Sequence, residues 1–283
     1  MRFPGRFRTG WVAIAAAVAA VMSTPAQAAA PEPPHYVALG DSAAAGPLIP
    51  QQDINLLCLR SHRNYPALAA KALGARLTDV SCSGATTKDF TGRRLGLLAP
   101  QFDALRPGTD LVSVTVGAND IGLFQEALGC VNVLPEPFGR SCADRLTSGG
   151  KDKLDESVRA WAPAFATALK EIKRRSPHAT VIVTGYGTYI REGGCHPVQP
   201  VWARDANYLQ GVMIKISNAA REQAHLHGAR FVDVAALTVG HDICAPPKDR
   251  YLEGLIPSHA AAPLHPNAQG MAVVGNAVAA AAR

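Results

Sequence analysis

The stretch Tyr36-Val37-Ala38-Leu39-Gly40-Asp41-Ser42 decides how this chain is read. An aromatic and β-branched run closed by Gly-Asp-Ser predicts a strand that delivers a hydroxyl to its C-terminal end. In an α/β sheet that edge is where ligands and catalytic groups collect. Ala43-Ala44-Ala45-Gly46, which follows, is small enough for a tight turn and for close approach of a substrate. Gly-Asp-Ser alone also makes ordinary surface turns, so its meaning depends on what the rest of the chain supplies.

Working outward, residues 77–81, 111–116, 180–184 and 230–234 read as further strands. Between them, Asn64 is a helix cap, Pro66 fits a first turn and Gly74 ends a helix over 65–73. Residues 152–175 read as a helix stopped before Pro177, and 202–227 as a long, partly amphipathic helix ending at Gly228. A terminal helix is predicted over 266–282, with Pro266 in its first turn. Strands separated by helices predict parallel pairing with helices on both faces, an α/β fold. The Pro/Gly-rich segments 47–64, 129–150, 185–201 and 240–264 read as site loops on one scaffold, not as linkers.

The first 28 residues stand apart. Arg2, Arg6 and Arg8 precede an apolar stretch over 11–22, and Ala26-Gln27-Ala28 offers a small-residue cleavage site, the pattern of a secretory signal peptide. Twelve apolar residues fall short of the ~20 that span a bilayer, and no later run is long enough, so no transmembrane anchor is expected. Cleavage after Ala28 leaves 255 of the 283 residues, 29–283, as a single domain. It also lowers Lys+Arg from 28 to 25 against 22 acids, and the net charge from +6 to +3. No basic block resembling a nucleic-acid footprint remains. A secreted monomer is expected.

All six cysteines, at 58, 82, 130, 142, 195 and 244, lie in the mature part, and an even count in an exported chain favours disulfides. Six cysteines allow about 15 connectivities. Sequential pairing, Cys58–Cys82, Cys130–Cys142 and Cys195–Cys244, is the expectation, since each bond would fasten a loop at the Ser42 edge. No Cys-x-x-Cys suggests zinc. His225 and His227, two apart on a helix, point away from each other, so no metal site is expected there.

Acyl transfer to serine needs an accessible hydroxyl, a base to accept its proton, and donors for the oxyanion of the tetrahedral intermediate. Ser42 follows the first strand. Gly84, in Ser81-Cys82-Ser83-Gly84-Ala85-Thr86, follows the second, and its missing side chain lets its N–H approach a ligand. Asn119, in Val116-Gly117-Ala118-Asn119-Asp120, follows the third and offers a carboxamide; the competing role is a helix cap. His265 stands in Pro263-Leu264-His265-Pro266-Asn267, before the terminal helix. Asp41 and Asp120 read as loop braces and His241 as structural.

These four blocks, in this order from about Tyr36 to the C-terminus, resemble the SGNH or GDSL-type serine esterases and lipases. The likeness is greatest to secreted, three-disulfide actinomycete members, whose loops also carry the Gly240-His241-Asp242-Ile243-Cys244 pattern. The resemblance implies a flavodoxin-like three-layer α/β/α sandwich with a central parallel sheet. It implies Ser42 as nucleophile, His265 as base and then acid, and an oxyanion hole from the Ser42 and Gly84 N–H groups and the Asn119 side chain. One position departs from the pattern. Many members place an aspartate three residues before the histidine, where this chain has Ala262. A Ser42–His265 dyad is therefore expected, its ring oriented by the backbone carbonyl of Ala262, or of Pro263, with Asp233 or Asp242 the carboxylates to look for instead.

The function expected is a secreted carboxylic-ester hydrolase working through an acyl-enzyme, with no metal or organic cofactor. Apolar loop residues (Leu48, Ile49, Leu56, Leu57, Leu123, Phe124, Val131, Val133, Leu134, Phe138 and Val201) favour a lipid acyl group over a sugar. A carbohydrate acetyl-esterase would use the same machinery. A flavodoxin-like flavin- or phosphate-binding protein would not need Asn119 or His265.

Overall fold

The computed structural model describes residues 1–3, 5, 10 and 32–283. Residues 4, 6–9 and 11–31 fall outside this set, and with them nearly all of the segment 1–28 read as an export signal. Met1–Glu32 and Pro33–Arg283 are separate units, and the fold is that of the second.

Its elements, in chain order, are β1 (His35–Gly40), α1 (Ser42–Ala45), α2 (Tyr65–Leu73), β2 (Arg76–Asp79), β3 (Leu111–Thr115), α3 (Leu123–Leu128), α4 (Cys142–Leu146), α5 (Lys153–Arg175), β4 (Thr180–Thr184), α6 (Ala203–Leu226), β5 (Arg230–Val232), α7 (Val234–Leu237) and α8 (Ala268–Ala282), with short 3-10 turns between some of them. The five strands pair in the order β2-β1-β3-β4-β5, every pair parallel. That order reverses direction between β1 and β3, and the crevice beyond the strand ends at such a switch point is where α/β sheets bind ligands.

Alternation along β1 assigns the two faces. Val37 and Leu39 join Val112, Val114, Val181 and Val183 beneath Trp161, Phe165 and Leu169 of α5 and Ile216 of α6. Tyr36 and Ala38 face the opposite layer, with Tyr65 and Ala69 of α2 and Met271, Val274 and Val278 of α8. Successive side chains of a strand point to opposite faces, so a strand covered on both sides is apolar throughout. Every residue of β3 is buried.

Helix caps follow the sequence signals. Asn64 accepts from Ala67 N–H, and Asp152 from Asp155 N–H. The C-terminal helix differs from expectation. Asn267 is its cap, accepting from Gln269 and Gly270 N–H, so the helix begins at Ala268 and Pro266 lies outside it. Pro266 instead pairs with Leu252 in an antiparallel bridge. The expected strand 230–234 stops at Val232, because Asp233 turns to cap α7 by accepting from Ala236 N–H. Strand 77–81 likewise stops at Asp79, whose carboxylate accepts from Ser81 N–H and Oγ–H.

The six cysteines form three disulfides in sequence order, Cys58–Cys82, Cys130–Cys142 and Cys195–Cys244. Among the described residues no helix is long and apolar enough to cross a membrane.

Candidate active site

Ser42 is the first residue after the Asp41 cap of α1. The turn from β1 depends on Gly40, whose φ is 144° and where a Cβ would stand 2.3 Å from the Thr115 carbonyl oxygen. The Gln101 carboxamide brackets the same glycine, accepting from its N–H at 2.8 Å and donating to its carbonyl at 2.9 Å. The backbone that presents Ser42 is therefore held from both sides.

His265 Nε2 lies 2.7 Å from Ser42 Oγ. Its Nδ1 lies 2.7 Å from the carbonyl oxygen of Pro263. A carbonyl can only accept, so Nδ1 carries the proton, and Nε2 of the neutral ring takes the hydrogen bond from the Ser42 hydroxyl. The orienting carbonyl is thus Pro263 and not Ala262. Leu264 adopts a φ of 59°, which folds the chain back so that the nearer carbonyl meets the ring. The Ala262 N–H donates to the Pro47 carbonyl.

No carboxylate among the described residues bonds to His265. Asp233 pairs with Arg221 and Asp242 with Arg191. The ring is desolvated under Phe124, with ring centroids 5.9 Å apart, and that burial holds His265 below the ordinary imidazole value of 6.5 despite its bond to Pro263.

Two residues of the cavity lining, Ser42 and Gly84, have backbone N–H groups that are not spent on the fold. Among the described residues, neither Ser42 N–H nor Gly84 N–H donates to a protein acceptor. Asn119 spends one carboxamide N–H on the Ala85 carbonyl at 3.0 Å, and the other has no partner among the described residues. It is not a helix cap; Gly122 precedes α3. Ser42, Gly84, Asn119 and His265 all line one cavity of about 410 Å³, within the ~300–1,000 Å³ of small-molecule sites.

Several residues that tie these loops together carried no sequence signal. Tyr186 donates its hydroxyl to Asp41 at 2.6 Å and accepts from Ala118 N–H at 3.0 Å, joining the Ser42 loop to the Asn119 loop. Burial raises the Asp41 carboxyl to about 7, against the pull of Tyr186 and Ala43. Asp120 accepts from the N–H and hydroxyl of Thr87, joining the Asn119 loop to the Gly84 loop. Arg94 donates to the carbonyls of Ser83 and Gly84, both at 2.9 Å, fixing the peptide that carries the Gly84 N–H.

On the histidine side, Glu253 N–H donates to the His265 carbonyl. Burial pushes the Glu253 carboxyl up, but donors from Asn267, Ser258 and His259 outweigh it and hold it below the usual range. The signal that finds Asp41 and Asp120 is their position next to site residues; Arg94, Tyr186 and Glu253 had none.

Away from these groups the cavity wall is mostly apolar, with Leu123, Phe124, Val131, Ile190, Val201 and Met213, interrupted by Gln125, Gln199 and Gln210. Ile49, expected in the acyl groove, is buried in the core, while Leu48, Leu56, Leu57, Val133, Leu134 and Phe138 face solvent.

The chain is a carboxylic-ester hydrolase with an α/β/α fold. Its family is shown by comparison: the model of the GDSL-like Lipase/Acylhydrolase family matches residues 38–273, and the chain belongs to that family. It is 40% identical over 242 residues to Lipase 2 of Streptomyces coelicolor, covering 83% of this chain and 81% of the relative. Among solved structures it is similar to an extracellular lipase from Streptomyces rimosus, with a TM-score of 0.73 and 29% identity over 88% of this chain and 100% of the other. It is also similar to phospholipase A1 from Streptomyces albidoflavus NA297, with a TM-score of 0.72 and 26% identity over 87% of this chain and 99% of the other.

The burial of His265 leads to a direct test. Its ring, followed by NMR through a pH titration, is expected to take up its second proton with a midpoint below 6.5. A midpoint above that value would contradict the desolvated, carboxylate-free environment.

Proposed function

We propose that Ser42 is the nucleophile and His265 the proton carrier of an acyl-enzyme hydrolase acting on lipid or other apolar acyl esters. The supporting observation is the 2.7 Å contact between Ser42 Oγ and the lone pair of Nε2, with the tautomer set by Pro263. In the first step Ser42 Oγ bonds to the ester carbonyl carbon as its proton passes to Nε2. The carbonyl π electrons move onto the oxygen, which the Ser42 and Gly84 N–H groups and the Asn119 carboxamide receive. Collapse expels the alcohol oxygen, which takes the proton from Nε2. Water then gives a proton to Nε2 and attacks the acyl carbon, and Ser42 recovers that proton as the acid leaves.

The imidazolium formed in each step keeps its Nδ1–H on a neutral carbonyl. That acceptor preserves the tautomer but stabilises positive charge less than a carboxylate does. The pair works as a dyad.

The apolar wall favours an acyl chain over a sugar, in keeping with relatives described as lipases and a phospholipase A1. Residues 1–28 serve as an export signal on this reading, and the mature chain acts outside the cell as a monomer. Three disulfides, which persist in oxidising compartments, support export.

A panel of nitrophenyl esters of rising chain length tests the assignment. Ser42→Ala and His265→Ala are expected to abolish turnover, and Asn119→Ala to lose about 2.7–4 kcal/mol of transition-state stabilisation, read from kcat/KM. Undiminished turnover by Ser42→Ala would end the mechanism. Arg94 positions a donor without touching substrate, so Arg94→Ala is expected to lower kcat roughly tenfold or more while KM barely moves. Arg94→Lys should restore part of the loss; an unchanged kcat in Arg94→Ala would remove Arg94 from the account.

A further inference from the structure

Two lobes beside the Ser42 cavity hold large aliphatic side chains out in water, and each is tied down by a disulfide. The first joins two short loops. One runs between Gln52 and Ser61, which pair in an antiparallel bridge, and it exposes Ile54 (98%), Leu56 (63%) and Leu57. The other turns between Arg94 and Leu98, also closed by a bridge, and exposes Leu95 and Leu97 (65%). Leu98 packs on Cys58, Cys82 and Ala85, so both loops are fastened at the Cys58–Cys82 bond. Arg94 abuts Gly84, which places this lobe at the cavity mouth.

The second lobe is the loop enclosed by Cys130–Cys142. It exposes Val133, Leu134 and Phe138 (72%), and its Val131 also lines the cavity. Grouped apolar exposure of this kind marks an interaction surface.

We propose that these two lobes dock the enzyme on a lipid–water interface, with their side chains among acyl chains and the cavity mouth facing the lipid. The proposal rests on the ester-hydrolase reading above and adds the surface from which substrate is drawn. Three features favour lipid over a protein partner. The apolar surface runs into the cavity wall at Val131, so an acyl chain can pass from one to the other without crossing water. A protein seated there would instead cover the entrance.

The exposed residues are mainly leucine, valine and isoleucine, whereas protein hot spots are enriched in Trp, Tyr and Arg. Finally, Arg63, Lys88, Arg93 and Arg140 lie exposed in loops on the same edge and form no ion pair among the described residues, which suits lipid phosphates. The disulfides supply the rigidity that such loops, having little core of their own, cannot.

The test uses the full chain carrying Ser42→Ala, so that adsorption is read without turnover, and sucrose-loaded vesicles of dioleoyl phosphatidylcholine. The parent is expected to co-sediment, to remain bound in molar salt, and to bind more strongly at low salt when phosphatidylglycerol is added. Adding Ile54→Ser, Leu56→Ser, Leu97→Ser and Phe138→Ser is expected to lower partitioning roughly tenfold or more.

In the active background the same four changes should leave turnover of dissolved nitrophenyl acetate unchanged and depress turnover of esters presented in vesicles. If the fourfold variant also loses the dissolved ester, the pairs Ile54/Leu56 and Leu97/Phe138 are substituted separately and read by the same criteria. Equal sedimentation with and without the substitutions, or no binding by the parent, would overturn the proposal. So would a dimer, seen by analytical ultracentrifugation, that the substitutions dissolve, since it would assign the surface to a second copy. Failure of the hydrolase reading shows separately, as nitrophenyl ester turnover surviving Ser42→Ala.

Discussion

The hydrogen bond between Ser42 Oγ and His265 Nε2 joins positions 223 residues apart, and most of the polar architecture around it serves to hold its two ends. The serine end is set by a parallel sheet whose strand β1, paired on both sides, stops at a glycine bracketed by Gln101. The histidine end cannot rely on a strand. It is a loop pinned against 251–254 by backbone bonds from Glu253, Leu264 and Asn267, and anchored by the Asn267 cap on α8. A core of close-packed side chains resists displacement, and both anchors rest on it.

Around that bond the chain uses carboxylates as braces, Asp41 and Glu253 buried and Asp120 half-buried. Asp41 meets Tyr186, Asp120 meets Thr87, and Glu253 meets Asn267, Ser258 and His259. Each links loops that would otherwise move independently, and none reaches the imidazole. The ring's orientation comes from a carbonyl, which has no protonation state to change, and its basicity is set mainly by burial. An uncharged acceptor suits a site whose wall is apolar, because a further buried charge would need partners of its own.

Much of this was legible in the residues. The long helices declared themselves through periodicity and caps, and 65–73 and 180–184 fall where the sequence reading puts them. Ser42, Gly84, Asn119 and His265 share one cavity because three of them follow parallel strands and such strands end on a common edge. Helices α1, α3, α4 and α7, of four to six residues, are too short for a repeating pattern to register. The choice of Pro263 over Ala262 turns on a left-handed leucine, Leu264, and nothing in a leucine announces that conformation. Arg94, Tyr186 and Glu253 act through partners brought near by the fold, which a linear reading cannot supply. The apolar loop residues read as one acyl groove divide into a cavity wall, an exposed rim and, for Ile49, the core, a distinction that depends on where each side chain points.

The claim that Ser42 is activated by a neutral, carbonyl-oriented His265 is tested most directly by covalent labelling. The chain would be treated with an alkyl fluorophosphonate and the modified residue located by mass spectrometry. One adduct, on Ser42, whose formation is lost in His265→Ala, is the predicted result. An adduct on another residue, or labelling of Ser42 at the same rate without the imidazole, would contradict it.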